Sequence, residues 1–191
     1  MVTTKQKRCN WPKEDPLYIE YHDKEWGVPV YEDAKIFEFF LLETFQAGLS
    51  WITILRKREN FRAAFDNFNY QKIANYTDEK LEKLRNDAGI IRNQLKIKAT
   101  KTNSLAFMEV QKEFGTFSKY LWDFVDGKAV QNNFTNMSEM PANTPLSDKI
   151  SKDLKSRGFK FVGSTIVYAH MQAMGMVNDH TTACFRHKEV S

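Results

Sequence analysis

The sequence predicts an all-α protein, and three observations support this fold class. Apolar residues recur at helical spacing in most segments of the chain. There are only eight glycines and five prolines, fewer than a sandwich or barrel with many tight turns would need. No run of alternating apolar and polar residues is long enough to indicate a β-sheet. The 191 residues suffice for one well-buried core, so we expect a single domain over residues 1–191.

Six segments are predicted to be helices, namely residues 33–47, 50–65, 77–88, 92–114, 147–158 and 164–175. The first begins with acidic side chains and is apolar nearly all round, which is typical of a buried helix. The second and third begin at the candidate N-caps Ser50 and Thr77. The last two end at Gly158 and Gly175, and glycine favours a helix C-terminus. Residues 126–146 are the clearest predicted loop, and both termini are expected to be polar and loop-like.

Charge and composition exclude several classes of protein. The net charge of +4 and the pI of about 8.9 give a mild bias towards anionic partners. No apolar run approaches the roughly 18 residues that a membrane span needs, and residues 1–16 lack the apolar core of a secretory signal. Two cysteines near opposite ends of the chain do not make a disulfide framework. We therefore expect a cytoplasmic protein with no membrane partner.

Cysteine and histidine residues are concentrated at the two ends of the chain. His180 and Cys184 lie four residues apart in one tail, and Cys9 and His22 lie near the start. Together they offer a Cys2His2 set, which zinc accepts tetrahedrally. The alternative is two unrelated free thiols with histidines satisfied by other partners. Of the remaining histidines, His187 is expected to be exposed and His170 to be a core residue, because it lies inside an apolar helix.

The stretch 85–101, RNDAGIIRNQLKIKATK, predicts two helices joined at a turn that contains Gly89. A helix that opens after such a turn presents backbone N–H groups that bind phosphate. Arg92 and Lys96 are among its basic side chains, and residues 88–101 contain no acid. The alternative is an ordinary helix corner with a solvated basic face. A second basic stretch, residues 149–160, either lines the same surface or is only a charged helix face.

Glu43 is predicted to lie on the apolar face of the helix over residues 33–47. On a wheel of 100° per residue it falls between Ile36 and Phe39. A carboxylate on an apolar face is costly unless it is paired or used. Aromatic residues with polar groups flank it in the sequence and could wall a pocket for a flat, cationic ring; they are Trp11, Tyr18, Tyr21, Trp26 and Trp51. The alternative is a salt bridge for Glu43 and a core position for the aromatics.

These features coincide in one known family. The chain resembles the bacterial 3-methyladenine DNA glycosylases of type I, the constitutive kind, almost from end to end. The resemblance is carried by RCNW, DPLYIEYHDKEWGVP, QAGLSWITILRKRENFR, DAGIIRN and LKSRGFKFVGSTIVYAHMQAMGMVNDH. The runs around 15–29 and 46–62 are far longer and more specific than a short motif.

The resemblance implies a fold and a set of site residues. The fold is the all-α bundle of the helix-hairpin-helix glycosylases, with the hairpin at about 80–101 and with one structural zinc joining segments 9–22 and 180–184. The zinc ligands match Cys9, His22, His180 and Cys184, and a site closed by four protein ligands is not a hydrolytic one. The base pocket matches Glu43, Trp51, Tyr21, Tyr18, Trp11 and Trp26. One departure, Thr44 and Phe45 after the pocket glutamate, is expected to reshape one wall.

The resemblance also implies an activity, which is the hydrolytic excision of 3-methyladenine from double-stranded DNA. The base is flipped out of the stack, an abasic site is left, and free 3-methyladenine is the product. Glu43 would select and position the base, Leu49 is the candidate wedge, and Gly89, Arg92 and Lys96 would hold the DNA backbone. Many relatives in the superfamily carry a catalytic aspartate beyond the hairpin, but no aspartate lies between Asp87 and Asp123. This absence suggests labile, cationic lesions only, and family analogy further implies no lyase step and a monomer.

Three rival interpretations remain open on the sequence. A non-enzymatic DNA-binding module with the same fold would lack the pocket carboxylate or its aromatics, and both are present. A small zinc hydrolase would need an open coordination position and a nearby base. An interaction protein that uses an aromatic surface would show no dependence on methylated DNA.

Overall fold

The computed structural model of the protein describes residues 6–46 and 48–191. It confirms a helix-rich fold. The helices, numbered along the chain, are α1 (Pro16–Lys24), α2 (Asp33–Gln46), α3 (Trp51–Ala64), α4 (Tyr70–Ala74), α5 (Asp78–Asn86), α6 (Gln94–Phe114), α7 (Phe117–Trp122), α8 (Pro145–Ser156), α9 (Ser164–Ala173) and α10 (Phe185–Glu189). Single 3-10 turns occur at Asp66–Phe68, Asp123–Val125 and Met137–Glu139. No helix within these described ranges has both the length and the apolar character that crossing a bilayer demands.

All six predicted helices are present, as α2, α3, α5, α6, α8 and α9, with ends within about two residues of the prediction. Ala47, the last residue predicted for α2, lies outside the described residues. Local capping explains several starts. Thr77 and Asn93 accept hydrogen bonds from Lys80 N and Lys96 N at the N-termini of α5 and α6. α8 begins two residues before its prediction, because Pro145 occupies the first turn behind a capping box formed by Thr144 and Ser147.

The two ends of the chain are more ordered than the sequence predicted. The head contains α1, which begins at the N-cap Asp15 with Pro16 in its first turn. The tail contains α10, and the predicted loop over residues 126–146 includes β1 (Val130–Gln131). This strand pairs in parallel with β2 (Val177–Asn178), so the expectation of a strand-free chain needs a small correction. The pairing ties the loop to the tail.

The core is built around α2, which contacts α3, α6, α7 and α9. Its phenylalanines are buried, and they meet rings from other helices edge to face. Phe37 lies 5.1 Å from Phe107 of α6, and Phe45 lies 4.9 Å from Phe61 of α3. A helix that is apolar nearly all round is expected to be central, and this prediction for α2 is confirmed. The position of α2 matters because it carries Glu43.

The tail returns to the head of the chain. The amide of Phe185 donates to the carbonyl of Lys7 at 2.9 Å, and the amide of Gly27 donates to the carbonyl of Gln172. Gly175 sits where these segments cross, with a φ of +71°. A Cβ on it would lie 2.3 Å from the carbonyl carbon of Val28, so only glycine fits the crossing. The two ends of the sequence therefore meet in one place.

Candidate functional site

A cavity of about 190 Å³ opens between the head, α1, the C-terminal half of α2, the start of α3, and α9. Every base-binding residue predicted from the sequence lines it. The lining consists of Trp11, Tyr18, Tyr21, Trp26, Glu43, Gln46, Trp51, Met137, Met140, Ala169 and Gln172. The walls are mostly aromatic and the polar groups are few, which is the usual composition of a site for a small heterocycle.

Glu43 is the one acidic residue among the described residues that line this cavity. Its side chain is 3% exposed, and Oε2 has no hydrogen-bond partner in the described part of the chain. Burial without a compensating cation raises the pKa of Glu43 well above the usual value of a glutamate. Within residues 6–46 and 48–191 Glu43 forms no salt bridge, so that alternative is wrong for the part of the chain that the structure describes. The cavity therefore presents a buried carboxyl with one unused oxygen, which a ligand bearing N–H groups or positive charge would satisfy.

The aromatic residues form walls around Glu43. Tyr21 of α1 lies 5.5 Å from Trp51 of α3, measured between ring centroids, and Trp11 lies 4.6 Å from Tyr18. The indole N–H groups of Trp11 and Trp51 are buried and have no hydrogen-bond partner among the described residues. Burial, followed by the nearby Glu43, raises the pKa of Tyr21, so its hydroxyl remains protonated. The walls thus combine flat faces with unused donors, close to one unused acceptor.

Five lining residues were not predicted from the sequence, namely Gln46, Met137, Met140, Ala169 and Gln172. The two methionines come from the turn after β1, which no local pattern connects with α2. Gln172 of α9 donates from Nε2 to the buried carboxylate of Asp179 at 2.8 Å. Asp179 also accepts from Tyr168 and Asn132. The network fixes the amide of Gln172, so that its oxygen is the remaining acceptor of that side chain.

Thr44 and Phe45, which were expected to reshape one wall of the pocket, do not line the cavity. Thr44 is buried, and its hydroxyl donates to the carbonyl of Leu41 on the same helix. Phe45 is fully buried against Phe61 and Phe65. Both side chains point away from the cavity, because successive residues of a helix face different directions. That expectation is corrected.

A second cluster lies directly behind the aromatic walls. The donor atoms of Cys9, His22, His180 and Cys184 lie within 4.8 Å of one another, and all four residues are buried. Cys184 Sγ lies 3.5 Å from Nε2 of His22 and 3.6 Å from Nδ1 of His180, and Cys9 Sγ lies 3.7 Å from that same Nδ1. The structure thus brings together all four residues predicted as ligands. The cluster could hold a metal ion.

Hydrogen bonds on the far side of each imidazole orient the ring. Nδ1 of His22 lies 2.8 Å from the carboxylate of Asp23, and Nε2 of His180 lies 2.9 Å from the carbonyl of Trp26. These acceptors place the ring proton on the outer nitrogen, which leaves the inner nitrogen of each histidine as a lone-pair donor towards the cysteines. This arrangement is typical of metal-ligating histidine.

The other two histidines are not part of the cluster. His170 is buried and lies 3.1 Å from the carbonyl of Ile36, and burial lowers its pKa to about 4. The prediction of a core histidine is confirmed. His187 was expected to be exposed, but it is half-buried and its Nε2 lies 2.9 Å from the carbonyl of Asn132. It therefore joins α10 to the loop that carries β1.

Two consecutive helices, α5 and α6, contact each other and are joined by residues 87–93. Gly89 lies in the connection, and its amide donates to Asp87 Oδ1 at 2.7 Å. A Cβ on Gly89 would lie 2.9 Å from that oxygen and 3.2 Å from Cβ of Asn60, so the turn is tight. Arg92 is exposed beside it.

The predicted DNA contacts Lys96 and Leu49 lie in contrasting surroundings. Lys96 is only 7% exposed, and its Nζ donates to the carbonyl of Phe45 at 3.1 Å. Its ammonium is thus directed into the protein, where it is not available to a phosphate. Leu49 is 39% exposed between α2 and α3, next to Trp51.

The fold and the cavity define a helical protein that accepts a flat heterocyclic base. Comparison with known proteins agrees. The family model described as methyladenine glycosylase matches residues 11–187. DNA-3-methyladenine glycosylase 1 of Escherichia coli (strain K12) is 49% identical over 178 residues, covering 93% of this chain and 95% of that protein. The chain therefore belongs to the methyladenine glycosylase family.

Solved structures resemble the chain along nearly its whole length. A crystal structure of 3-methyladenine DNA glycosylase I matches with a TM-score of 0.91 at 49% identity, covering 94% of this chain and 98% of that one. A structure that describes 3-methyladenine recognition by the Staphylococcus aureus glycosylase I has a TM-score of 0.90 at 33% identity, covering 93% and 95% of the two chains. The cavity thus lies in a fold whose members include a protein characterised for binding 3-methyladenine.

Proposed function

We propose that this protein is a DNA repair glycosylase that excises 3-methyladenine from alkylated double-stranded DNA by hydrolysis. The single observation that carries the proposal is the buried carboxyl of Glu43, which has one oxygen without a partner at the wall of an aromatic cavity. The match to named 3-methyladenine glycosylases supports the same substrate. The products are an abasic site and free 3-methyladenine.

The proposed chemistry needs little assistance at the reacting bond. Alkylation at N3 makes the purine cationic, so the base leaves as a neutral molecule when the glycosidic bond breaks. The nucleotide must first leave the helical stack, because that bond is otherwise inaccessible. The cationic base favours ionisation of Glu43, whose proton passes to solvent. The carboxylate then accepts hydrogen bonds from the exocyclic amine and the adjacent edge of the ring, while Trp51 and Tyr21 stack on the faces of the base. These contacts hold the base until water completes the hydrolysis.

The surroundings of the cavity support a restricted, hydrolytic enzyme. Glu109 and Glu113, the acids beyond the hairpin, pair with Lys112 and Arg157 away from the cavity. No lysine lies among the described residues that line the cavity, so a Schiff-base lyase step has no nucleophile there. With Glu43 as the one acid of the wall, the enzyme acts on labile, cationic lesions.

The α5–α6 pair is proposed to act as a helix-hairpin-helix that grips the DNA backbone. The first amides of α6 point out of a helix N-terminus, and the exposed Arg92 adds positive charge beside them. Gly89 permits the tight turn between the helices. Leu49 is the proposed wedge that fills the space left by the flipped nucleotide. The chain acts as one domain and as a monomer in this proposal.

The Cys2His2 cluster is proposed to hold one structural zinc ion. A tetrahedral zinc with bonds of about 2.0 Å to nitrogen and 2.3 Å to sulfur separates N and S ligands by roughly 3.5 Å. The separations between sulfur and imidazole nitrogen here are 3.5–3.7 Å. Four protein ligands leave no open position for water, so the ion would supply no hydrolytic chemistry.

Zinc binding would also support the cavity, because two ligands touch its walls. The ring of His22 lies 5.2 Å from Trp11, and that of His180 lies 4.7 Å from Trp26. His22 and Tyr21 are adjacent on α1, one in the cluster and the other in the cavity. The joined head and tail thus hold the aromatic walls in position.

The test of the proposed function is release of free bases from DNA treated with a methylating agent, separated by chromatography. The wild-type protein should release 3-methyladenine and leave 7-methylguanine in the DNA. Glu43→Gln should slow release by about tenfold or more, since a hydrogen bond to a charged group contributes about 1.5–3 kcal/mol. Wild-type protein that binds zinc and DNA but releases no base would instead be a non-enzymatic module of this fold.

A further inference from the structure

Lys96 lies on the hairpin, but its side chain belongs to the interior. It sits in the first turn of α6, between the exposed Arg92 and Lys98. Its Nζ reaches the carbonyl of Phe45, 51 positions earlier in the chain, at 3.1 Å. Burial lowers the pKa of Lys96, so the site carries a desolvation cost. Because burial of an ammonium group is unfavourable, the position of Lys96 calls for a structural or functional explanation.

The partner of Lys96 is the C-terminal end of α2. The last carbonyls of a helix have no partners within the helix and carry the negative end of its dipole, so a cation there is stabilising. α2 has no basic residue in its own last turn. Lys96 supplies that cation from the hairpin. The contact therefore joins the element proposed to grip DNA to the helix that carries Glu43.

The end of α2 is where the pocket and the wedge meet. Glu43 lies two residues before Phe45, and Leu49 lies four residues after it. Trp51, the first residue of α3, lies two residues beyond Leu49. A displacement of this helix end would move the carboxyl, the wedge and one stacking ring relative to the DNA.

We propose that Lys96 is a positioning residue that couples backbone binding at the hairpin to transfer of the lesion into the pocket. The ammonium holds the C-terminal end of α2 against α6, so that DNA seated on the hairpin meets Leu49 and Glu43 at fixed places. This inference rests on the proposed DNA contact of the hairpin. It assigns Lys96 a part in the excision step, whereas the exposed Lys98 affects only the binding of DNA.

The test compares Lys96→Met with Lys98→Met on the same helix, using DNA that contains 3-methyladenine. Lys96→Met should lower kcat by about tenfold, the effect of losing one hydrogen bond from a charged donor, with KM nearly unchanged. Lys98→Met should raise KM and weaken its salt dependence, because a phosphate contact is screened by salt. Lys96→Arg, which keeps a charged donor, should recover most of kcat.

A second measurement separates positioning from loss of folding. Binding of free 3-methyladenine, followed by tryptophan fluorescence, should stay within about twofold of wild type in Lys96→Met, since a free base, unlike one attached to DNA, can follow a shift of Glu43 and Trp51. Loss of that binding together with kcat would overturn the proposal, because Lys96 would then only support the fold. A raised KM with unchanged kcat would also overturn it and make Lys96 a backbone contact. If Lys98→Met and Arg92→Ala leave KM unchanged, the hairpin contact fails, independently of the Lys96 result.

Discussion

Two buried glutamates on α2 differ in their hydrogen-bond partners, and this difference indicates that one has a structural role and the other a functional role. Glu38 and Glu43 both lie on α2 and are 5% and 3% exposed. Glu38 accepts hydrogen bonds from Arg58 at 2.7 Å and from Arg62 at 2.9 Å. Glu43 has no such cation among the residues that the structure describes, and desolvation raises its pKa. Glu38 therefore stabilises the fold. Glu43 lowers the stability of the free protein, and its carboxyl is available to a ligand.

Glu43→Gln should stabilise the free protein while it slows excision. The neutral amide avoids the cost of a buried carboxyl, and about 1 kcal/mol corresponds to a rise in Tm of roughly 2–4 °C in a chain of this length. Thermal unfolding measured without DNA gives the comparison. Glu38→Gln is the matched control and should lower Tm, because Arg58 and Arg62 each lose an anionic partner. A fall in Tm for Glu43→Gln would mean that Glu43 has a structural partner.

The stability difference between wild type and Glu43→Gln should depend on pH. Below pH 4.5, the ordinary value for glutamate, the carboxyl is protonated in the native and the unfolded chain, so the difference is small. Above that pH the unfolded chain loses the proton while native Glu43 retains it. Wild-type stability therefore falls relative to the variant as pH rises towards the raised native pKa. Urea unfolding at several pH values measures this, and a constant difference would contradict a raised pKa.

At the scale of elements, the connection from α2 to α3 has a separate role from the pocket. Leu49→Ala should slow excision from duplex DNA and leave binding of free 3-methyladenine unchanged, because an inserted side chain matters only when a base leaves the stack. Excision rates with duplex substrate provide the measurement. Leu17→Ala is a matched control, since Leu17 is 40% exposed and Leu49 is 39% exposed. Equal rates for Leu49→Ala and wild type would remove Leu49 from the role of wedge.

The long helices were predictable because their periodicity and caps agree. The short ones were missed for identifiable reasons. α1 has a recognisable N-terminal signal, Asp15 followed by Pro16, but its aromatic residues are equally consistent with a pocket wall in a loop. α4 and α7 have only the caps Asn69 and Thr116 as signals, and their lengths of five and six residues are set by packing on α6. The β1–β2 pair depends on tertiary contact alone.

At the scale of the whole molecule, the joined ends are proposed to maintain the pocket. His180→Ala should abolish zinc binding, lower Tm by roughly 10 °C or more, and weaken 3-methyladenine binding, because a structural zinc contributes several kcal/mol to folding. Metal analysis, thermal unfolding and base titration measure these effects. His187→Ala lies in the same tail outside the cluster and should retain the metal. A His180→Ala variant with unchanged Tm and base affinity would show that the cluster plays no part in holding the walls.

The functional site was only partly predictable, because it is assembled from distant segments. The types and positions of the residues suggested the ligand set, Glu43 and the aromatic residues, and the resemblance supported these assignments. Met137, Met140 and Gln172 were missed because apolar or amide side chains in a loop or helix give no signal of a pocket. Lys96 was predicted to contact phosphate from its positive charge. The charge does not show whether the side chain points to solvent or into the protein. Its burial follows from how α6 packs against the end of α2.

The central claim is that the cavity around Glu43 recognises the methylated base, and one measurement tests it most directly. Wild-type protein and Glu43→Gln are titrated with free 3-methyladenine and with adenine, while tryptophan fluorescence reports on the cavity walls. We expect saturable binding of 3-methyladenine to wild type, much weaker binding of adenine, and a loss of about tenfold or more in affinity for Glu43→Gln. Equal binding of both bases, or equal affinity of both proteins for 3-methyladenine, would contradict the account.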